Sequence, residues 1–505
     1  MPTQPKAPDQ RNNSLTPALK KTANLSLLVS VLIGSYLLVT SAFYPLENLP
    51  VFDAKRLLQL ALFSILLIFA LAWTPLRHMT IAQLGRLSPL NRMVLGLFFS
   101  IGIASSLRLT HPAYPLVDVS MIFIMTLLIA VVAASRDMAG SRFDTWAVLF
   151  LAVLGSVVAL EEFMGFLAGW SLGSEFSYDQ ALMHFAHPRF YNQLQTWSIP
   201  VIAALPLIFP NKRWVKFGCI VLLGLQWFLV IALAARGTVV SLFIAMVFIA
   251  LWQPGQRKFW LKYQLAGLLA GILIYFFVLF LNSVLIPQSQ SGEFYAHSAG
   301  RSMTHTSGRS TFWRLSIEDA TKHPLLGSGP TQYACHSDIW LPAHPHSFPF
   351  RILGEWGLIA IFLVLVLAFS LGLGFLKSLK SSNITSQSDP PLKAMLAISL
   401  IAGAIHSCVS GLLIMPASQV TMILIAGWTL SISRDEQSSQ NTRPSGNILL
   451  VAGTLMAFAT LIFAATEITQ LPQRTSYSGH YGPMVPRFWQ DGRVCEYEFE
   501  DINVN

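Results

Sequence analysis

Charge is what this sequence is shortest of. Asp, Glu, Lys and Arg make up 11% of its 505 residues while 53% are apolar, where soluble domains carry about 25% charged residues. A water-facing surface cannot be assembled from that supply, so soluble enzymes, disordered chains and nucleic-acid-binding domains are excluded together. Cysteine is also scarce. Four residues, none at metal-ligand spacing, exclude a disulfide framework and a structural zinc module. No HExxH stretch occurs, and the HxH pair of His344 and His346 has no third ligand beside it, so no metal is expected. What the chain does have is a series of apolar runs approaching the roughly 20 residues that cross a bilayer.

Thirteen such segments are read, over residues 24–43, 56–74, 92–109, 115–134, 145–167, 196–210, 215–235, 237–253, 263–285, 351–376, 393–413, 416–433 and 447–467. The expected fold is an all-α polytopic membrane protein. Residues 1–23 form a basic tail, and the segment after them lacks a small-residue cleavage site, so it reads as an anchor helix. The loops after even-numbered segments are basic, among them Arg77 and Arg86, Arg136 and Arg142, Lys212 and Arg213, and Lys377 and Lys380. By the positive-inside rule they face the cytoplasm with the N-terminus, and the net charge of +9 follows from them. Lys55 and Arg56, in the first outward loop, are the one breach. The chain then divides into helices 1–9 over 24–285, a large outward loop over 286–350, helices 10–13 over 351–467 and an outward C-terminal tail over 468–505.

The 286–350 loop holds six of the twelve histidines, and a loop beyond about 15 residues is usually functional. Within it GRSTFWRLSIEDATK has helical character and carries Arg309, Trp313 and Arg314. The two arginines lie five apart, roughly 140° around a helix, so they either border one concave site or serve a surface helix paired to Glu318 and Asp319. Arginine suits phosphate because its planar fork donates two parallel hydrogen bonds and keeps its charge. Arg236 interrupts LVIALAARGTVVSLFIA at a tight outer turn. Such a charge costs roughly 2.5–3.5 kcal/mol at mid-membrane and less near the interface; it binds an anion or snorkels to lipid phosphate. His344 and His346 stand just before segment 10 and have the near-neutral pKa of a base for a hydroxyl proton. Glu355 follows nine residues later. The smaller outward segment, HFAHPRFYNQLQ, supplies Arg189, Tyr191 and Asn192, groups of the kind that hold sugars.

GRSTFWRLSIEDATKHPLLGSGP followed by HPHSFPFRILGEWGLIAIF resembles the signature region of the O-antigen ligase and polymerase superfamily, which includes bacterial O-oligosaccharyltransferases. The pattern is an Arg and a Trp on a helix, a PLLGxG turn, a His and a Glu nine positions on; it falls here on Arg309, Trp313, Pro324 to Gly329, His346 and Glu355. Ser347 stands where the family commonly has Asn, and Ala235 where it often has Ser. The resemblance implies a C-type glycosyltransferase-like fold at the periplasmic face of a Gram-negative inner membrane. It implies an undecaprenyl diphosphate-linked glycan as donor and no metal or nucleotide cofactor. Arg236, Arg309, Arg314 and Arg189 would then bind the diphosphate, with His346 as base and Glu355 orienting the site. His344, Asn192, Tyr191 and Trp313 would line the glycan and acceptor side. The acceptor is expected to be lipid A-core. The alternatives are a pilin-type protein, a growing repeat-unit polymer, or transport of the lipid-linked sugar without chemistry. Cys335 and Cys495 both fall outward in the oxidising periplasm and are expected to pair, whereas Cys219 and Cys408 fall inside helices.

Overall fold

A computed structural model describes residues 17–43, 46, 48–173, 182–255, 257–286, 308–336, 342–380, 389–433, 445–469 and 487–489. Among them the regular structure is entirely helical. In chain order the α-helices are α1 (Pro17–Ser26), α2 (Leu28–Ala42), α3 (Val51–Ala72), α4 (Thr74–Gly85), α5 (Pro89–Leu107), α6 (Ala113–Ala139), α7 (Ser141–Ser171), α8 (Pro188–Ile202) and α9 (Leu205–Ile208). They continue with α10 (Arg213–Ala232), α11 (Arg236–Trp252), α12 (Arg257–Leu285), α13 (Arg309–Lys322), α14 (Phe348–Lys380), α15 (Asp389–Ser407), α16 (Pro416–Ile432) and α17 (Ser445–Ile468).

Ten of the described helices are long and apolar enough to cross a membrane, and α11 and α16 are shorter apolar helices. The protein is therefore an all-α polytopic membrane protein. Each of the thirteen expected segments has a helix. The sixth differs in kind from the rest: residues 196–210 fall on α8, which carries Pro200 inside it, and on the single turn of α9. A helix of 15 residues spans about 22 Å, short of the roughly 30 Å hydrocarbon core.

Two helices form the interior. α16 packs on α6 and α8, and nearly all of its side chains are buried. α8 is as deeply enclosed although it is polar, and several of its side chains find partners on neighbouring elements. Gln195 Nε2 donates to Gln226 Oε1 at 3.0 Å, Gln193 Nε2 to Ser410 Oγ at 2.8 Å and Trp197 Nε1 to Ser418 Oγ at 2.9 Å. Pairing of this kind is what lets polar side chains sit in an apolar bundle.

Arg56, half of the pair that broke the loop-charge pattern, is 2% exposed. Its guanidinium donates to Gln59 Oε1 at 2.5 Å, Gln419 Oε1 at 2.7 Å and the Ile414 carbonyl at 2.6 Å. Lys55 is buried with its Nζ 3.9 Å from the centre of the Phe185 ring. Both are internal groups, so neither belongs among the loop charges that set orientation.

Candidate active site

The cap is joined to the bundle through its glycines. After α13, residues Pro324–Gly329 lie across the start of α14. Leu358 N donates to the Pro324 carbonyl at 2.8 Å, Ser328 N to that of Gly354 at 2.8 Å and Gly329 N to that of Glu355 at 2.9 Å. The approach needs residues without Cβ. At Gly327 (φ +66°) a Cβ would stand 2.3 Å from the Glu355 carbonyl carbon, and at Gly357 (φ +86°) 2.5 Å from the Leu325 carbonyl oxygen. Gly357 breaks α14 one residue past Trp356, and the carbonyls freed there accept the turn's N–H groups. Ser105 Oγ on α5 donates to the Leu326 carbonyl at 2.7 Å from the other side. Trp313 of α13 stacks on Phe350 of α14 at 5.0 Å.

This joint sets His346 beside α13. The residue has φ +51°, in the left-handed region that a side chain with Cβ seldom adopts, and such strain gathers at functional sites. His344 holds it there: His344 Nδ1 accepts the His346 N–H at 3.1 Å, so its own proton is on Nε2, and the two rings meet edge-on at 4.3 Å. His344 is 1% exposed and packs on Gly411. Ser347 Oγ accepts the Phe350 N–H at 3.5 Å, the capping position at which Ser and Asn serve alike.

The neighbours of His346 are cationic. Burial, then the Arg309 and Arg189 guanidinium groups and His187, push its pKa down to about 3, so the ring is neutral at pH 7. Arg189 opens α8, whose cap His187 accepts the Arg189 N–H on Nδ1 at 3.0 Å. Arg309 is also an electrostatic neighbour of His406. His406 Nδ1 lies 2.8 Å from Thr196 Oγ1, and its Nε2 would be 2.6 Å from a Cβ at Gly237. Arg309 is thus within electrostatic reach of both His346 and His406, and His406 touches the α10–α11 turn at Gly237, next to Arg236 at the start of α11. Ala234 in that turn has φ +49°.

Residues 219–365 match the family model for O-antigen ligase. That match supports a likeness of this part of the chain to the O-antigen ligase and polymerase superfamily. No curated protein matches it. The family stretch runs from α10 through the Arg236 turn and the cap to the middle of α14, so it contains Arg236, Arg309, His346 and Glu355. Members of this superfamily are glycosyltransferase-like ligases and polymerases, which supports an enzyme here too.

The O-antigen ligase stretch does not gather every residue singled out from the sequence. Glu355 is 1% exposed and engaged by other arginines: its Oε2 accepts from Arg351 Nε at 3.3 Å and from Arg487 Nη2 at 2.5 Å. Arg314 has 72% of its side chain exposed and pairs with Glu318 at 3.4 Å, so it is the surface residue of the two cap arginines. Tyr191 is fully buried and donates to Gln226 Oε1 at 2.6 Å; as a core residue it has no face toward a sugar. Asn192, 3% exposed, donates to Gln195 Oε1 at 2.8 Å, with its Oδ1 buried and unpartnered. Trp313 fastens the cap, its Nε1 buried without a partner. Cys335 is disulfide-bonded, Cys219 and Cys408 are free, and Cys495 lies outside the described residues.

Four groups around the histidines went unread in the sequence. Arg351 binds Glu355 and, through Nη2, both oxygens of Asp118 on α6. His406 stands in the last turn of the apolar α15. Arg487 arrives from the C-terminal tail. The one local signal was RILGE, which puts Arg351 four residues before Glu355 on one helix face.

Proposed function

We propose that this protein is a glycosyltransferase of the O-antigen ligase type, moving a glycan from undecaprenyl diphosphate to an acceptor hydroxyl, with lipid A-core as the acceptor, at the periplasmic face of a Gram-negative inner membrane. The observation that carries this reading is His346, fixed by His344 beside the cap helix with Arg309 and Arg189 as its electrostatic neighbours, in a chain of apolar helices. The basic loops after even-numbered segments support a cytoplasmic N-terminus, which sets the cap on the periplasmic side. There the cap disulfide is formed between Cys335 and Cys495.

In the proposed reaction His346 takes the proton of the acceptor hydroxyl. The oxygen attacks the anomeric carbon opposite the phosphate, and the bond from that carbon to the phosphate oxygen breaks. Its electron pair leaves with undecaprenyl diphosphate, and the configuration inverts. The imidazolium then returns its proton to solvent. Charge grows on the diphosphate as the bond breaks, and Arg309, Arg189 and Arg236 are fixed cations for it, the preorganised arrangement that lowers such barriers. Burial and these same cations make His346 a weak base before donor binds. A bound diphosphate offsets them and raises the imidazole pKa, so donor binding itself strengthens the base. Glu355 acts beneath this site as an anchor, through Arg351 and Arg487.

The deciding experiment supplies the reconstituted protein with a labelled lipid-linked glycan and, separately, with lipid A-core or a pilin-type protein. Label in the core is the expected outcome. Label in protein reassigns the acceptor, and lengthening of the lipid-linked glycan indicates a polymerase. Label that crosses the bilayer without transfer restores transport and overturns the reading.

A further inference from the structure

Three residues of the C-terminal tail, Arg487 to Trp489, are seated inside the bundle. Trp489 is fully buried, and its Nε1 donates to Tyr114 Oη at 3.1 Å, which in turn donates to Glu467 Oε2 at 2.8 Å. Phe488 lies between the Tyr114 and Trp489 rings, at 6.0 and 4.8 Å. Arg56 reaches up from α3 to hold the backbone, with Nε donating to the Phe488 carbonyl at 3.2 Å and Nη2 to that of Arg487 at 3.4 Å. Two aromatic anchors and a buried arginine thus fix a segment whose remaining side chain points inward.

That side chain is Arg487, 2% exposed. Its Nη2 is 2.5 Å from Glu355 Oε2 and 4.0 Å from Asp118 Oδ2. Without it Glu355 keeps one long bond, to Arg351 Nε at 3.3 Å, while Glu355 Oε1 is already buried without a partner. The groups facing His344 are Arg487, Arg351 and His346, and with burial they keep its pKa well below the usual histidine value. A neutral His344 retains the Nδ1 lone pair that accepts the His346 N–H; a protonated one would have no acceptor and would release that backbone from φ +51°.

The structure assigns Arg487 a positioning role in glycan transfer: clamped on Glu355 beside Arg351, the tail guanidinium fixes the buried layer on which His344 stands and, through it, His346. The assignment rests on the reading of His346 as the base.

The test uses the full chain reconstituted in lipid nanodiscs, with Arg487→Gln, Arg487→Lys and His346→Ala in parallel. Arg487→Gln is expected to lower kcat at pH 7 about tenfold with KM for the lipid-linked donor changed less than about twofold. The acid limb of its kcat profile should gain a component from His344, which loses a neighbouring cation and is protonated at higher pH than in the wild type. Arg487→Lys keeps the charge but not the fork, so its limb should stay in place while kcat falls about threefold or more. Wild-type kcat in Arg487→Lys overturns the assignment, including where the Gln variant does not accumulate. Activity that falls only with the amount of folded protein, at an unchanged pH profile, makes the segment a structural strap and also overturns it. Full transfer by His346→Ala is a separate failure, that of the parent reading, whatever the Arg487 variants do.

Discussion

Two layers meet at the histidine pair, and they are built on opposite principles. Beneath His344, Arg351 and Arg487 are matched by Asp118 and Glu355, and the groups are almost wholly enclosed. Around His346 the electrostatic neighbours are Arg309, Arg189 and His187, and the ring is only partly buried. A balanced buried network contributes little net stability for its desolvation, yet losing one member is severe; its value here is fixed geometry. Cations gathered about one imidazole are an arrangement that suits an anionic ligand. On the proposed reading, substrate belongs in the upper layer and the lower one holds it in place.

The contrast can be broken at several points. His346→Ala should lose roughly 10²–10⁴-fold in transfer by purified protein, the usual worth of a positioned base, while still inserting and accumulating; undiminished turnover would remove the base. Next comes the cap pair. Arg309→Lys keeps charge but loses the fork, and a loss of about 10–100-fold in kcat/KM is expected. Arg314→Lys in the same assay should be close to wild type, since an exposed i,i+4 pair contributes about 0.3–0.5 kcal/mol; equal losses would dissolve the distinction between the two faces of α13.

The pH profile sharpens the comparison further. A base must be neutral to act, and His346 is held near 3 without donor, so kcat/KM, which reports the free enzyme, should show no His346 limb between pH 7 and 5. In kcat the bound diphosphate raises that pKa, so its acid limb should lie higher. A kcat/KM limb at the ordinary histidine value near 6.5 would contradict the cationic surroundings. The joint is read in stability: Gly357→Ala should cost about 1–3 kcal/mol from its φ alone, and more from the Leu325 carbonyl its Cβ would meet, seen as a lower melting temperature of the purified protein.

The membrane class and the cap were legible because their signals are local. Apolar runs of bilayer length, a PLLGSG turn and an HPH sequence each stand within a few residues. Arg309 and Arg314 were legible as a pair, but only packing could say which faced inward. The stretch HFAHPRFYNQLQ read as a sugar-binding loop because hydrogen-bonding side chains look alike in sequence whether they meet solvent or each other. Tyr191 meets Gln226, from a helix 35 residues away. The buried layer was beyond reach for the same reason: Asp118 and Arg351 are 233 residues apart and Glu355 and Arg487 132. No periodicity links such positions.

The break at Gly357 divides α14 into parts with different masters. Residues 348–356 are bonded to the cap turn and carry Arg351 and Glu355, while the apolar remainder presents Leu358, Phe362, Leu365 and Phe369 outward. Changes in bilayer thickness are met by tilting of long apolar helices. The two parts of α14 are joined at a glycine rather than as one continuous helix, so tilting of the apolar remainder need not be passed whole to Arg351 and Glu355.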